Sequence, residues 1–366
     1  MVRVIFTLDY EIHGNGEGCP YELMVEPTTR LLRLFDAYGA KLTIMADIAE
    51  ILMFKRYADQ HGKDAYHYQD IAAQLQTAVR GGHDVQLHIH SSYFNATHDG
   101  RRWVQDWTEY NFAGLSLRRL DELIRLGKEF LESLLQPIDP AYRCNVFRAA
   151  NWSVTPSRNV VRALVNHGIQ IDTSVFKFGR REGLVNFDYT DAASDMLPWR
   201  ADEDAIWRHS ATGSLWEVPI YSEHRRLGAF LSANRFYRYL AGRLHRVPRA
   251  FPDAPTNVAA KAAQQPGAGR RLRKLTGKHA WKADFNQCTG RQLVGALNRA
   301  SSRYRDVAGP LPFVLIGHSK LFTSWNQNSL RPFLAYVASN PSCFNFGTFD
   351  SLNLAPLHSG GRLVFS

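Results

Sequence analysis

Asp9 and Glu11 stand two residues apart at the end of a strand-like run, Val2-Arg3-Val4-Ile5-Phe6-Thr7-Leu8-Asp9. Alternate side chains of a strand share a face, so Thr7, Asp9 and Glu11 point one way and Val4, Phe6 and Leu8 the other. The run from Gly82 to His90 alternates likewise, with Val85, Leu87 and Ile89 on one face and Gln86, His88 and His90 on the other. Two imidazoles at i and i+2 are close enough to grip one cation. With Glu11 they make a set of one carboxylate and two histidines that leaves coordination positions open for water and substrate. Such a set suits hydrolytic zinc, and also iron, manganese or cobalt. His83 falls on the other side of the alternation and reads as structural. Arg148 ends the strand-like Asn145-Val146-Phe147-Arg148-Ala149, and His318 follows the apolar run Pro312–Gly317. Each group alone also fits a solvated strand end or a structural hydrogen-bonder. The inference rests on four strand ends that each deliver one functional group.

Those strand ends need a scaffold that gathers them. Up to about residue 220, short β-like runs alternate with amphipathic helical patterns. Leu31, Leu34, Phe35 and Tyr38 repeat at helical spacing after Pro27, and Gly39 stands where a helix ends. A strand follows in Ala40–Ala46, then helical patterns near 70–79 and 115–135. Asn145–Ala149 reads as a strand, Thr155-Pro156 as a helix start, and Ile169–Val175 as a strand after Gly168. The alternation resumes at 281–285, with a helix through Leu293 and Leu297, the strand before His318, a helix around 330–337 and a last strand near 344–348. Repeated β-α-β-α order argues for parallel strands with helices outside, as an open sheet or a barrel, which carry their chemistry at the carboxyl ends of the strands.

At 366 residues, 45 % hydrophobic and 21 % charged, the chain has a globular composition. No apolar run reaches the length of a spanning helix. The opening residues lack the pattern of a secretory signal, and four scattered cysteines without a CxxC pair fit reduced thiols, so a cytoplasmic location is expected. The net charge of +10 is concentrated: residues 225–282 hold 14 Lys and Arg against the single acid Asp253, and the remainder is slightly acidic.

The motifs TLDYE, GHDVQLHIH, FRAANW and VLIGHS, in that order, resemble those of the polysaccharide deacetylase (NodB-homology) family, most closely its WbmS-like branch. The resemblance covers nearly the whole chain outside 225–283. It implies a distorted (β/α) barrel of about seven parallel strands over residues 1–366, with a basic insertion. It also implies metal-dependent removal of an acyl group, usually N-acetyl, from sugars, as in surface polysaccharide biosynthesis. Carried over by residue, Asp9 matches the catalytic base, Glu11 the metal-binding acid at a minority spacing, and His88 the first metal histidine. Arg148 matches the arginine that orients the base, and His318 the histidine that protonates the leaving amine. Asp284 is a candidate for the acid that keeps His318 charged and oriented, and Asn151 and Trp152 for substrate contacts. The metal implied is one divalent ion, zinc first. Two departures stand out: Ser92 occupies the usual place of the second metal histidine, which leaves His90 to replace it, and Ala149 occupies the place of a proline.

Two other readings keep the fold and change the chemistry. One is an inactive sugar-binding pseudoenzyme, which Ser92 would favour; the other is a hydrolase of a different C–N amide, such as a cyclic ureide or formamide. The basic segment 225–283 raises partners of its own. Its centre, 247–269, is rich in Pro, Ala, Gln and Gly and reads as a flexible insertion. Arg235, Arg238, Arg243, Arg246 and Arg249, interleaved with Phe236, Tyr237 and Tyr239, suit phosphates, an anionic membrane surface or a lipid-linked glycan. They equally suit a helix that covers the barrel with its arginines solvated. No recognised nucleic-acid-binding motif accompanies the charge.

Overall fold

The computed structural model describes residues 1–12, 18–100, 102–243, 277–308, 311–352 and 354. The whole of the expected insertion centre, 247–269, lies outside the described residues, and so do Arg246 and Arg249.

The strands are β1 (Val2–Tyr10), β2 (Leu42–Asp47), β3 (Asp84–Ile89), β4 (Thr97–His98), β5 (Trp103–Val104), β6 (Val146–Ala149), β7 (Ile171–Asp172), β8 (Gly179–Arg181), β9 (Phe187–Tyr189), β10 (Trp199–Arg200), β11 (Trp216–Glu217), β12 (Ser222–Arg226), β13 (Lys278–Lys282), β14 (Leu311–His318) and β15 (Phe344–Gly347). The main sheet runs β10-β11-β7-β6-β3-β2-β1-β14, and β15 pairs with the first half of β1. Apart from β10, its strands are parallel. Single parallel bridges, Ile220 to Val314 and Asp284 to Ile316, bring the far side of the sheet back onto β14. The result is a distorted (β/α) barrel, the architecture the motifs imply.

Helices α1 (Glu26–Asp36), α2 (Ile48–His61), α3 (Tyr68–Arg80), α4 (Leu117–Leu135), α5 (Arg158–Asn166), α6 (Ala233–Arg243), α7 (Gly290–Arg303) and α8 (Ser324–Ala338) complete the regular structure. Strands covered on both faces read as near-continuous apolar runs, and β2, β3 and β6 are buried at every position. Phe6 points outward from β1 into the helical layer, 4.5 Å from the Phe35 ring on α1 and 5.9 Å from Phe333 on α8. Ser116 caps α4 by accepting from the Arg119 N–H, and Leu120, Leu123, Ile124, Leu131 and Leu135 form its buried face. Gly127 lets that face close on β3, since a Cβ there would lie 2.7 Å from Leu87.

Three points of the sequence reading need correction. The segment after β2 carries a helix, α2, absent from the periodicity reading; its apolar positions are interrupted by Glu50, Lys55 and Arg56, so no clean stripe stands out. Its start is set by Asp47, whose carboxylate accepts from the Ala49 N–H. The helix expected from Thr155 begins only at Arg158, and the strand expected over 169–175 is ordered as strand at Ile171–Asp172 alone. There, buried side chains rather than a ladder take the backbone donors: Asp172 accepts from Ser174 N and Glu217 from Val175 N.

Candidate active site

Register brings the functional groups together. Across β1 and β14, Asp9 is paired with His318; across β2 and β3, Asp47 with His88; across β3 and β6, His88 with Arg148. All of these lie at the carboxyl ends of parallel strands, and Glu11 and His90 follow just beyond theirs.

Around Asp9 the arrangement is that of an ionised base with fixed direction. Arg148, fully buried, donates from Nη1 to Asp9 Oδ1 at 2.8 Å and to Thr7 Oγ1 at 2.7 Å, while its Nε donates to the Thr173 carbonyl at 3.0 Å. His318 Nε2 lies 3.5 Å from the other oxygen, Oδ2. Burial works to raise the Asp9 carboxyl. The charges of Arg148, His88 and His318 outweigh it and hold the group below the ordinary carboxylate range. His318 is itself pulled below the ordinary imidazole range by burial, against the opposing charges of Asp9 and Glu11. Its Nδ1 is buried and has no hydrogen-bond partner. Gly317 permits this placement, because a Cβ there would come within 2.2 Å of the Phe285 ring.

Glu11, His88 and His90 form a second centre, with one potential ligand atom from each lying within 4.8 Å of the others. Glu11 Oε2 is 3.1 Å from His88 Nε2 and 2.7 Å from His90 Nε2, and Lys320 Nζ is 2.9 Å from Oε1. Burial would raise the Glu11 carboxyl; Lys320, His90 and the imidazole hydrogen bonds hold it well below the ordinary range. Burial would lower His88, but the Glu11 hydrogen bond and the charges of Asp9, Glu11 and Asp47 raise it to about 9.

The donor chemistry of this centre fits a divalent ion. His88 Nδ1 lies 2.8 Å from the Arg148 carbonyl, to which it donates, so that Nε2, facing Glu11, is the nitrogen that gives up its proton and carries the lone pair when the ring is neutral. Asp47 adds a buried carboxylate beside both histidines. Its Oδ1 accepts from His90 N at 3.0 Å, and its Oδ2 is buried without a hydrogen-bond partner. Ser92 turns away and donates to Gln105 Oε1 at 2.8 Å, so no ligand comes from the position where a histidine was expected.

Asp284 does not meet His318. Its position at the bridge to Ile316 starts a tight turn, and its carboxylate is taken up by that turn: Oδ1 accepts from Asn286 N at 2.9 Å and Gln287 N at 3.1 Å, and Oδ2 from Gln287 Nε2. Its charge still works to raise the His318 imidazole, and Asn286 Oδ1, which accepts from the His318 N–H at 2.6 Å, ties the turn to that strand. Trp152 does reach the centre, with its ring 6.0 Å from that of His318 and nearly perpendicular to it. Asn151 and Trp152 both have left-handed backbones, φ 56° and 57°, a conformation that bulky residues such as tryptophan rarely adopt.

Asp47 and Lys320 were missed in the sequence. Asp47 had a visible signal, a carboxylate at the end of the second strand. Lys320 had only its place two residues after His318.

No family model matches the chain, and no curated protein matches it. Solved structures do resemble it. A protein assigned as a glycoside hydrolase/deacetylase from Parabacteroides distasonis superposes with a TM-score of 0.52 at 11 % identity, covering 95 % of this chain and 68 % of the other. One assigned as a polysaccharide deacetylase from Mycobacterium smegmatis gives 0.47 at 14 %, covering 95 % and 87 %. The family 4 carbohydrate esterase from Streptomyces lividans, solved with acetate, gives 0.39 at 11 %, covering 95 % and 92 %. At these identities the likeness concerns the fold, and the first of the three carries it.

Proposed function

We infer that this chain is a metal-dependent hydrolase that removes an N-acyl group, N-acetyl in the first instance, from a carbohydrate or glycan precursor. The observation that supports it most is a single juxtaposition: Asp9, held ionised by Arg148 and faced by His318, stands beside the Glu11–His88–His90 cluster. The motif order supports the polysaccharide deacetylase family, with its WbmS-like branch as the nearest match of the motifs.

Glu11, His88 and His90 would hold one divalent ion, zinc first, with Asp47 alongside. Such an ion supplies Lewis acidity, acidifying a water and polarising the acyl oxygen. Asp9 takes the proton of the attacking water through the oxygen that Arg148 leaves free. Arg148 keeps that carboxylate ionised and aimed. His318 delivers a proton to the departing amine, and the burial that lowers its pKa makes its protonated form the stronger acid. Lys320 neutralises Glu11 and fixes its second oxygen. Acetate release from N-acetylated oligosaccharides, measured before and after chelation and after zinc is restored, tests this. Activity should vanish and return; acetate release that survives complete chelation removes the metal from the reading.

A peripheral place at an anionic membrane, with a lipid-linked glycan as substrate, is supported by α6. One face of this helix docks on the barrel, where Asn234 bonds the Cys288 carbonyl and Tyr237 stacks on Trp325. Phe236, Tyr239 and Leu240, at i, i+3 and i+4, leave an apolar face exposed, beside Leu231 at 79 % exposure. Among the described residues no helix is long and apolar enough to cross a membrane. Co-sedimentation with anionic vesicles across a salt series should show salt-sensitive binding; none at low salt removes this location.

A further inference from the structure

The charges at the barrel mouth are unevenly matched. Asp9 has Arg148, and Glu11 has Lys320 and two histidines. Two further cations face the same mouth from antiparallel strand pairs that flank it, Arg181 at the end of β8 and Lys282 at the end of β13. The two pairs are braced by Phe178, whose ring stacks on His224 at 4.8 Å. Neither cation has a carboxylate within ion-pair distance among the described residues. Arg181 Nη1 donates to Asn151 Oδ1 at 2.9 Å, and the Tyr110 hydroxyl lies beside both. The Lys282 ammonium stands over aromatic faces, 3.3 Å from the centroid of Trp152 and 4.4 Å from that of Phe176, with no hydrogen-bond partner among the described residues. The indole Nε1 of Trp152 is buried without a partner as well. Cation–π attraction offsets part of an ammonium's lost hydration and leaves its three donors unused.

We propose that Lys282 and Arg181, with Asn151, Trp152 and Tyr110, form a subsite for an anionic group of the substrate, a carboxylate or a phosphate. The inference rests on the hydrolase reading above and narrows its substrate to an acidic N-acyl sugar. The Trp152 ring lies against both His318 and Lys282, so the anion would sit next to the acid–base pair. Its oxygens would accept from the ammonium and the guanidinium, as charge-assisted hydrogen bonds. Asn151 and Trp152, adjacent and both left-handed in backbone, meet one cation each, Arg181 and Lys282. A neutral sugar would leave both cations without an ion pair, which an acidic sugar supplies.

The test uses the full-length, zinc-loaded protein and N-acetylhexosamines that differ only at C6: hydroxymethyl, carboxylate and phosphate. For at least one acidic sugar, kcat/KM should exceed that of the neutral sugar about tenfold or more, and added salt should shrink the ratio. The better of the two acids identifies the group. Lys282→Met and Arg181→Met should each bring the ratio down about tenfold, through KM, and Lys282→Arg should keep it. Equal rates on all three sugars, or a ratio that survives the double Met variant, overturns the subsite and leaves the hydrolase standing. If no sugar is hydrolysed, calorimetric binding decides. Acidic sugars that bind the wild type and not a folded Met variant uphold the subsite while the hydrolase reading fails; binding indifferent to both substitutions overturns it.

Discussion

Two pairs of carboxylates are buried at strand ends of the same barrel, and their surroundings push them in opposite directions. Asp9 and Glu11, at the end of β1, are each met by a cation and held below the ordinary range. Asp172 and Glu217 are register partners on β7 and β11, both fully buried, with no ion-pair partner among the described residues. Burial raises both, and Glu217 is raised further by Asp172. The first pair is therefore suited to accept protons and bind a metal. The second, whose charged forms burial disfavours, holds the turn after β7 by accepting from the Ser174 and Val175 N–H groups. Placement at a strand end is the same in both; the neighbouring cation makes the difference. The two pairs are also linked, because Arg148 grips Asp9 with one nitrogen and the Thr173 carbonyl of that turn with another.

Removing the cation should give the largest effect. Arg148→Met leaves Asp9 buried with its charge uncompensated, and the protein should lose about 3–5 kcal/mol in urea unfolding together with its turnover. An unchanged midpoint with intact activity would mean that Arg148 does not set the state of Asp9. Next, Asp9→Asn keeps the shape and removes the base. The expected loss is about 10²–10⁴-fold in kcat, with one metal still bound per chain by elemental analysis. Near wild-type deacetylation by this variant would refute the base assignment. A third change separates the metal centre from its surroundings: His90→Ala should weaken zinc binding about tenfold or more, while Ser92→Ala should leave it unaltered. The reverse result in a zinc titration would restore Ser92 as the relevant position.

The smallest effect belongs to the second pair. A carboxyl whose folded pKa lies above its unfolded value binds its proton more tightly when folded. Stability is then lost as pH rises from the unfolded value, about 4.3 for Glu, toward the folded one. Glu217→Gln should thus gain on the order of 1 kcal/mol at pH 8 and nothing below about pH 4, with turnover unchanged. A pH-independent stability difference would show that Glu217 is ionised in the fold after all.

The same contrast explains what the sequence made legible. Alternation exposed Asp9, Glu11, His88 and His90 because their strands are long enough for two-residue periodicity to show, and the barrel followed from the order of elements. Asp172 and Glu217 looked no different in kind, yet they serve the backbone, because β7 and β11 are two residues long and side chains replace their ladders. Asp284 looked like a direct partner for His318, but its turn takes up its oxygens and it acts on that imidazole by charge alone. Lys282 and Arg181 carried no local signal: their meaning comes from two strand pairs meeting over Trp152, 100 residues apart in the chain. Asp47 is the residue that closer attention to a strand end would have found.

The central claim is that Glu11, His88 and His90 hold a catalytic metal next to Asp9. Anomalous scattering at the zinc edge, from crystals grown with zinc, tests it most directly. The account predicts one peak within bonding distance of Glu11, His88 Nε2 and His90, with Asp9 and His318 beside it. A well-occupied peak elsewhere, or none at this position in zinc-saturated crystals, would contradict it.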